Sequence, residues 1–305
     1  DVLKSQTDNI AKEDAYTLAL FAQDEIKLLR NLQALIGVRY IYHENFKNHA
    51  TPNVALMYKP GKFNFRASYA AGFRTPTLSD LYATDIAKKN DRLTIGNLDL
   101  KPEKNNYFSL SAEYVHERFS VSVNAFYNNI RDMIDYNTIA TGDKAMEQYG
   151  HKEVRQRDNI AEAKVHGINV SANAYLGAGF NLSGGYTHLN TQDVELEQPI
   201  DKSIKNAYNI NAQWAHSWKI YRLNINLNGR INSKRFSKSY GYAPEYQLWD
   251  LNTRHSFNLK SVIIEPGCGM ENLFDYMDDR PYNSNYATLT PGRSFYISLS
   301  LKFKS

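Results

Sequence analysis

The chain has 305 residues, of which 42% are hydrophobic and 13% aromatic, and its formal net charge is only +4. The length suits one large β domain or two smaller ones, and the charge, without a basic arm, argues against nucleic-acid binding. A single cysteine, Cys268, excludes an intramolecular disulfide framework. With a mean hydropathy of -0.55 and no apolar run of about 18 residues, no membrane-spanning helix is predicted.

Strand-like alternation runs through the whole chain. Apolar residues occupy every second position in runs of about ten residues, such as Phe63, Phe65 and Ala67. A period of two indicates strands with one apolar and one polar face, and runs of this length match tilted strands that cross a bilayer. We predict about thirteen strands, at residues 13–27, 31–43, 51–59, 62–73, 106–116, 118–130, 159–176, 179–191, 206–216, 219–232, 246–257, 261–272 and 292–303.

The predicted connections alternate in length. Tight ones lie near residues 28–30, 60–61, 116–117, 177–179, 216–218 and 259–260, and longer ones at 44–50, 74–105, 132–158, 192–205, 233–245 and 273–291. Outer-membrane barrels combine short periplasmic turns with long extracellular loops, whereas a β-sandwich or solenoid has no reason to collect its long loops at one end. We therefore predict an all-β chain that forms a transmembrane antiparallel β-barrel.

Two further expectations follow from this arrangement. Trp214, Trp218 and Tyr221 surround one tight turn, which suits either a periplasmic aromatic girdle or a small hydrophobic cluster that caps a hairpin. An odd strand count places residues 1–12 on the extracellular side and conflicts with the even counts of bacterial single-chain barrels. We therefore expect a C-terminal part of a larger barrel, with the remainder upstream, on another chain or removed by cleavage.

Several motifs occur in a fixed order along the chain. The segments Gly72-Phe73-Arg74-Thr75-Pro76-Thr77-Leu78 and Gly96-Asn97-Leu98-Asp99-Leu100-Lys101-Pro102-Glu103 bracket one long connection. Three others are Phe21-Ala22-Gln23-Asp24-Glu25 with Gly37-Val38-Arg39-Tyr40, then Glu271-Asn272-Leu273-Phe274-Asp275, and Pro291-Gly292-Arg293-Ser294-Phe295-Tyr296. The ordered set resembles the TonB-dependent outer-membrane receptor family, especially its haem and cobalamin branch, although Leu98 replaces the usual Pro.

The resemblance implies a 22-stranded barrel with an internal plug, of which residues 1–305 would be the C-terminal portion without the plug and first strands. It assigns loop-shaping roles to Phe73, Arg74, Pro76, Asn97, Leu98, Asp99, Leu100 and Asn272. Arg74 has the inward-facing parity of its strand, where Asp99 or Glu103 is a suitable partner. The implied partners are the TonB–ExbB–ExbD complex, the rest of the barrel and plug, membrane lipid or lipopolysaccharide and, in part of the family, a surface lipoprotein.

Such receptors import a scarce, bulky nutrient, here haem or another tetrapyrrole, cobalamin or a ferric chelate, and need no resident cofactor. Residues 74–100 lack the axial His that is usual in haem receptors. His151, beside Tyr149, is the candidate for a substitute haem ligand, and the alternative is that His151 is a solvated loop histidine. The ligand-binding candidates are Tyr82, Arg92, Tyr149, His151, His188, Arg235 and Tyr240.

Charged loop residues suggest further partners. The basic and aromatic residues Lys88, Lys89, Arg92, Lys234, Arg235, Lys238, Tyr240 and Tyr242 suit anionic chelates, haem propionates or lipopolysaccharide phosphates, or an ordinary solvated loop. Asp275, Asp278 and Asp279 suit a Ca²⁺ site or simple solvation. The alternatives to a receptor are a passive porin and an outer-membrane barrel enzyme; the strand parity argues against the enzyme, so no catalysis is expected.

Overall fold

The computed structural model describes residues 2–3, 13–88, 90–160, 162–237, 241–278 and 290–304. The predicted extracellular segment 1–12 therefore lies outside the described residues, apart from positions 2 and 3. The elements in chain order are β1 (Val2–Leu3), β2 (Glu13–Asp14), β3 (Thr17–Leu29), β4 (Leu32–His43), β5 (Lys47–Tyr58), β6 (Phe63–Arg74), α1 (Leu78–Tyr82), β7 (Thr84–Ala87), β8 (Arg92–Ile95), β9 (Glu103–Val115), β10 (Phe119–Arg131), β11 (Ile134–Thr141), α2 (Gly142–Tyr149), β12 (Glu153–Asn159), β13 (Ala163–Gly177), β14 (Phe180–Asp193), β15 (Asn206–Trp218), β16 (Tyr221–Asn232), β17 (Arg235–Ser237), β18 (Gly241–Ala243), β19 (Tyr246–Asn258), β20 (Val262–Glu271) and β21 (Ser294–Phe303).

Thirteen strands form one antiparallel sheet, in the order β21-β20-β19-β16-β15-β14-β13-β10-β9-β6-β5-β4-β3. Each of them overlaps one of the predicted strands, so the predicted all-β class and the antiparallel barrel sheet are confirmed. The strands β3 and β21 form the two edges of this sheet. Neither described helix is long and apolar enough to cross a membrane.

The two faces of this wall have opposite chemistry. On one face, polar side chains bond across strands: the hydroxyls of Ser68 and Ser109 are 2.6 Å apart, and Asn211 donates to Asn226 over 2.7 Å. On the other face, apolar residues are exposed, as with Ile297 at 89%. This inversion of the soluble-protein pattern suits a wall with lipid outside and a polar interior.

Aromatic rings form two belts on the apolar face. The lower belt lies beside the turn at residues 219–220 and contains Trp214, Trp218 and Tyr221, with ring centroids 6.1 and 5.5 Å apart. The upper belt includes the pairs Tyr69–Phe108 and Tyr186–Tyr208, at 4.9 and 4.7 Å. On β10, the apolar run begins at Phe119 and ends at Tyr127. These two residues are about 27 Å apart along the strand, which is about 19 Å along the membrane normal for a strand tilted by about 45°. This is comparable to the height of a barrel's lipid-facing band.

The connections alternate between the two ends of the sheet, largely as predicted. The tight-turn end carries residues 30–31, 59–62, 116–118, 178–179, 219–220 and 259–261, and the long-connection end carries 44–46, 75–102, 132–162, 194–205, 233–245 and 272–293. The predicted long connection at 44–50 is wrong, because β5 begins at Lys47. Residues 47–52 of β5 pair with β4 alone, because the pairing with β6 begins at Asn53. Pro52 therefore lies in a part of the strand that is paired on one side only, where a strand tolerates a residue without a backbone N–H.

Apart from Ala163 at the start of β13, the most deeply buried apolar side chains of the described residues lie in the long connections. Val154 and Ala145 are fully buried in one cluster, and Leu81, Leu100 and Ile134 form a second. The long connections therefore hold a packed body of their own above the barrel wall.

Candidate ligand-binding site

Two long connections combine into one four-stranded sheet, which we call the loop sheet (β7, β8, β11 and β12). Its order is β11-β12-β8-β7. The strands β8 and β12 come from different connections and pair in parallel, with Glu153 opposite Arg92 and Gln156 opposite Ile95. The backbone pairing joins residues 75–102 to residues 132–162, so the loop sheet is built from strands of both connections.

Asp80 anchors the loop sheet to the barrel wall. Its side chain is only 7% exposed, and its Oδ1 lies 3.2 Å from Nε of Arg157 while its Oδ2 lies 3.9 Å from Nη1 of Arg74. The same carboxylate accepts from the backbone N–H of Thr77, and the Thr77 hydroxyl accepts from Asp80 N–H, so a capping box begins α1. One buried carboxylate thus links a helix start, the wall strand β6 and the loop-sheet strand β12.

Arg74 also binds Glu103, as its parity suggested. Nε of Arg74 donates to Oε2 of Glu103 over 2.7 Å, and Nη2 donates to Oε1. The Oε1 atom also accepts the backbone N–H of Ile134 over 2.8 Å. The fork geometry of the guanidinium holds both ends of residues 75–102 together and ties them to β11.

The other motif residues also make local contacts. Pro76 and Leu100 are buried, and Phe73 stacks on His49 with centroids 3.7 Å apart. Asn97 accepts the N–H of Asp99 and donates its own N–H to the carbonyl of Asp80, whereas Leu98 is 66% exposed. At Gly96, a Cβ atom would lie 2.5 Å from the Leu81 carbonyl oxygen, so no side chain fits.

An arginine cavity lies against the loop sheet. It has a volume of about 190 Å³, and we define it by Arg92, Arg155, Arg157 and Tyr136; Asp85 lies on the same lining. The Arg157 guanidinium lies 3.8 Å from the centre of the Tyr136 ring. Arg155 pairs with Glu153 and Arg157 with Asp80, but Nε of Arg92 is buried without a hydrogen-bond partner among the described residues.

Sequence reasoning named Arg92 but missed its companions. Arg155 and Arg157 are two residues apart on β12 and therefore share one face of that strand. The alternation Arg155-Gln156-Arg157 was the available signal. The parallel pairing with β8, which brings Arg92 next to them, has no signature in the sequence.

The haem-ligand candidates lie at the end of α2. Gly150 ends that helix with a φ of 72°, Tyr149 packs on the Val154 cluster, and Nδ1 of His151 lies 2.9 Å from Oδ1 of Asp91. The backbone N–H of Lys152 donates to the Asp91 carbonyl over 3.0 Å. The contact between Nδ1 of His151 and the Asp91 carboxylate thus connects the segment before β12 to the turn between β7 and β8.

The His151 contact makes the loop sheet sensitive to acid. The hydrogen bond from His151 holds the pKa of Asp91 below its ordinary value of 3.8. Because this pKa is lowered by folding, the contact stabilises the loop sheet above about pH 4 and is lost as the pH falls through the folded-state pKa. We expect Asp91→Asn to weaken hydrogen-exchange protection of residues 150–153 at about pH 5, and to weaken it less at about pH 3. A difference that is equally large at both pH values would contradict this.

The remaining candidates do not line the arginine cavity. Tyr82 packs on the Leu81 cluster, and His188 lies on β14, where its Nδ1 is 2.8 Å from Oδ1 of Asn206. Arg235 lies on β17, in a different connection whose Phe236 contacts Tyr242. Lys89, Lys238, Tyr240 and Asp279 lie outside the described residues.

Asn272 organises the last long connection. Its Oδ1 accepts the N–H of Tyr276 and its Nδ2 donates to the carbonyls of Tyr276 and Pro291, at 2.9, 2.7 and 3.1 Å. Asp275 accepts the N–H of Arg293 over 2.7 Å. Within the part of the chain that the structure describes, no group of three or more His, Cys, Asp or Glu side chains is arranged to hold a metal ion.

These features define the class of protein. A wall of long antiparallel strands, apolar outside and polar inside, with packed connections at one end, is an outer-membrane β-barrel. The family profile described as "TonB dependent receptor-like, beta-barrel" matches residues 2–273, and the chain belongs to this family. The predicted family and outer-membrane location are therefore confirmed.

Solved structures share the fold. A point mutant of the ferric enterobactin receptor of Pseudomonas aeruginosa, in complex with enterobactin, is 20% identical with a TM-score of 0.77 over 98% of this chain and 47% of that one. The siderophore receptor PirA of Acinetobacter baumannii is 17% identical, with a TM-score of 0.75 over 98% of this chain and 47% of that one. The copper transporter OprC is 12% identical, with a TM-score of 0.70 over 93% of this chain and 47% of that one. The chain spans less than half of each of these proteins.

Proposed function

We propose that residues 1–305 form the C-terminal portion of a larger outer-membrane receptor barrel that binds an anionic ferric chelate at the cell exterior for import. The family membership supports a transport receptor and not an enzyme or a passive porin. The observation that carries the choice of ligand is the arginine cavity, because three guanidinium groups and a tyrosine ring converge on a sheet built from two long connections.

The chemistry of the cavity favours a rigid anion with aromatic surface. Arginine binds oxygen anions through paired N–H donors, and guanidinium and tyrosine planes both stack on flat rings. Arg92 has a buried Nε that a ligand oxygen would satisfy. A catechol-type ferric chelate has both negative oxygens and rings, and one solved relative is a ferric enterobactin receptor. Haem and cobalamin remain the alternatives, with His151 and Tyr149 as the haem ligands.

The rest of the proposal follows from the family. TonB–ExbB–ExbD would supply the energy through a plug, and the plug and the other strands would complete the barrel. A surface lipoprotein and outer-leaflet lipopolysaccharide are further proposed partners. The chain needs no resident cofactor in this scheme, because the iron, haem or cobalamin is cargo.

The test uses the complete receptor with Arg92→Gln and Arg155→Gln together. Arg157 is left unchanged because it holds Asp80. We expect at least a tenfold weaker Kd for ferric enterobactin, since each lost charge-assisted hydrogen bond contributes about 1.5 kcal/mol or more. Arg118→Gln, an exposed residue of the tight-turn end, is the matched control. Unchanged affinity in the double variant would contradict the site.

Haemin is the second probe for the same receptor. If the wild-type receptor binds haemin and His151→Ala with Tyr149→Phe changes its absorbance spectrum, the haem alternative replaces the chelate. Binding of ferric enterobactin that is lost only in the arginine variants supports the chelate.

A further inference from the structure

The arginine cavity contains a carboxylate as well as its guanidinium groups. Asp85 of β7 lies on the lining of the cavity and is exposed. The strand register places Asp85 opposite Thr94 of β8, and Thr94 opposite Arg155 of β12, so all three share one face of the loop sheet. The cavity therefore has a carboxylate on its β7 side and guanidinium groups on its β8 and β12 sides.

Most of the charges around the cavity are already paired. Two of the three arginines, Arg155 and Arg157, have carboxylate partners. Arg92 and Asp85 form no ion pair within the part of the chain that the structure describes, and Nε of Arg92 is buried without a hydrogen-bond partner there. The cavity is thus left with one cation and one anion that have no counter-charge.

Arg92 and Asp85 are diagonal neighbours on the antiparallel strands β7 and β8. Asp85 is opposite Thr94, and Arg92 lies two residues before Thr94 on β8. Diagonal positions of this kind place their Cβ atoms about 7–8 Å apart. An anion that binds Arg92 is therefore repelled by Asp85, unless the ligand also has a cationic group on the β7 side.

The volume of the cavity limits how much of a ligand it can hold. At about 190 Å³, the cavity is smaller than the pockets that enclose a whole drug-sized ligand, which measure about 300–1,000 Å³. A space of this size suits a single aromatic arm beside the Tyr136 ring, and not a complete three-armed chelate. The charge next to that one arm is the charge that Asp85 meets.

We propose that the arginine cavity selects chelates whose catechol arm is accompanied by an ammonium group, with the anionic oxygens at Arg92 and the ammonium at Asp85. This inference rests on the proposed function, because it names the class of chelate that the same cavity takes. Specificity in proteins often depends on a repulsive element as well as an attractive one. Asp85 is the repulsive element here, and it disfavours chelates that are anionic on every side.

The test compares two synthetic ferric chelates on the complete receptor. Both consist of a trilysine scaffold whose α-amines carry 2,3-dihydroxybenzoyl groups; the side-chain amines are free in the first chelate and acetylated in the second. The wild type should bind the ammonium chelate about threefold more tightly than the acetylated one, as expected for one partly exposed ion pair.

Asp85→Asn should abolish this preference. The variant should bind the ammonium chelate more weakly, and the acetylated chelate and ferric enterobactin more tightly, than the wild type does. The substitution keeps the size of an exposed side chain, so the loop sheet should fold as before. Asp99→Asn is the matched control, because Asp99 is an exposed carboxylate of the same connection that does not line the cavity, and it should keep the preference.

The outcomes distinguish this inference from the proposed function. Arg92→Gln with Arg155→Gln should weaken binding of all three chelates; if it weakens none of them, the cavity is not the ligand site and both proposals fail. If it weakens all three while Asp85→Asn leaves the preference unchanged, the chelate site stands and the inference about Asp85 is overturned. Equal affinity of the wild type for the two synthetic chelates would also overturn it.

Discussion

Asp80→Ala should release the loop sheet from the barrel wall while leaving the wall intact. The substitution removes a carboxylate that is 7% exposed and pairs with Arg157 and Arg74. It also removes half of the capping box that begins α1. Breaking a buried ion pair leaves a charge without its partner, and losing a cap adds to this, so we expect about 3 kcal/mol of local destabilisation.

Hydrogen exchange of the membrane-inserted receptor measures this effect. The amides of residues 78–102 and 134–159 should lose protection by roughly a hundredfold, the equivalent of about 3 kcal/mol, while those of the wall strands keep it. Asp99→Ala is the matched control, because Asp99 is an exposed carboxylate of the same connection. Loss of protection across the whole barrel, or none in the loop sheet, would show that Asp80 does not have this role.

Val154→Asp should have a still larger effect on the loop sheet. Val154 is fully buried and packs with Ala140 and Ala145, so the new carboxylate would have neither water nor a counter-charge. Burial of an isolated charge costs several kcal/mol, more than a small sheet of this kind can supply. We therefore expect residues 134–159 to unfold and ferric enterobactin binding to fall below detection.

Gln148→Asp provides the comparison, since Gln148 is exposed on α2 of the same connection and does not line the arginine cavity. It adds the same charge without burial and should leave both exchange protection and chelate affinity within about twofold of the wild type. Both variants should still insert and resist heat as folded barrels, because the wall does not rely on Val154. Normal chelate binding by the Val154 variant would contradict a ligand site on the loop sheet.

The wall was the part of this protein most open to sequence reasoning. A strand that separates lipid from a polar interior must alternate apolar and polar residues. Each membrane-crossing strand therefore shows this alternation in its own sequence. Arg74 illustrates how far parity extends: its inward position predicted a carboxylate partner, and the structure shows Glu103 there. The predicted start of β5 was four residues too late, because Lys47, Asn48 and His49 are polar and show no apolar alternation, although they pair with β4.

The loop sheet was not predictable in the same way. Residues 84–95 and 134–159 contain four short strands that the sequence pattern did not distinguish from irregular loops. Asn159 shows why: its side chain binds the backbone of Lys101 and of Asp132, at 2.7 to 2.8 Å, and thus joins segments far apart in the chain. Such pairings depend on complementary shape and not on a repeated period.

The sequence by itself determined the strand alternation, the ends at which long connections collect and the family, because a lipid boundary imposes a local rule on each wall residue. Only the tertiary structure decided that Arg92 would join Arg155 and Arg157, that Asp80 would anchor the loop sheet, and that Asp85 would lie diagonal to Arg92. These sites combine residues from separate segments, and the register that brings them together is set by packing and cross-strand hydrogen bonds once the whole wall has formed.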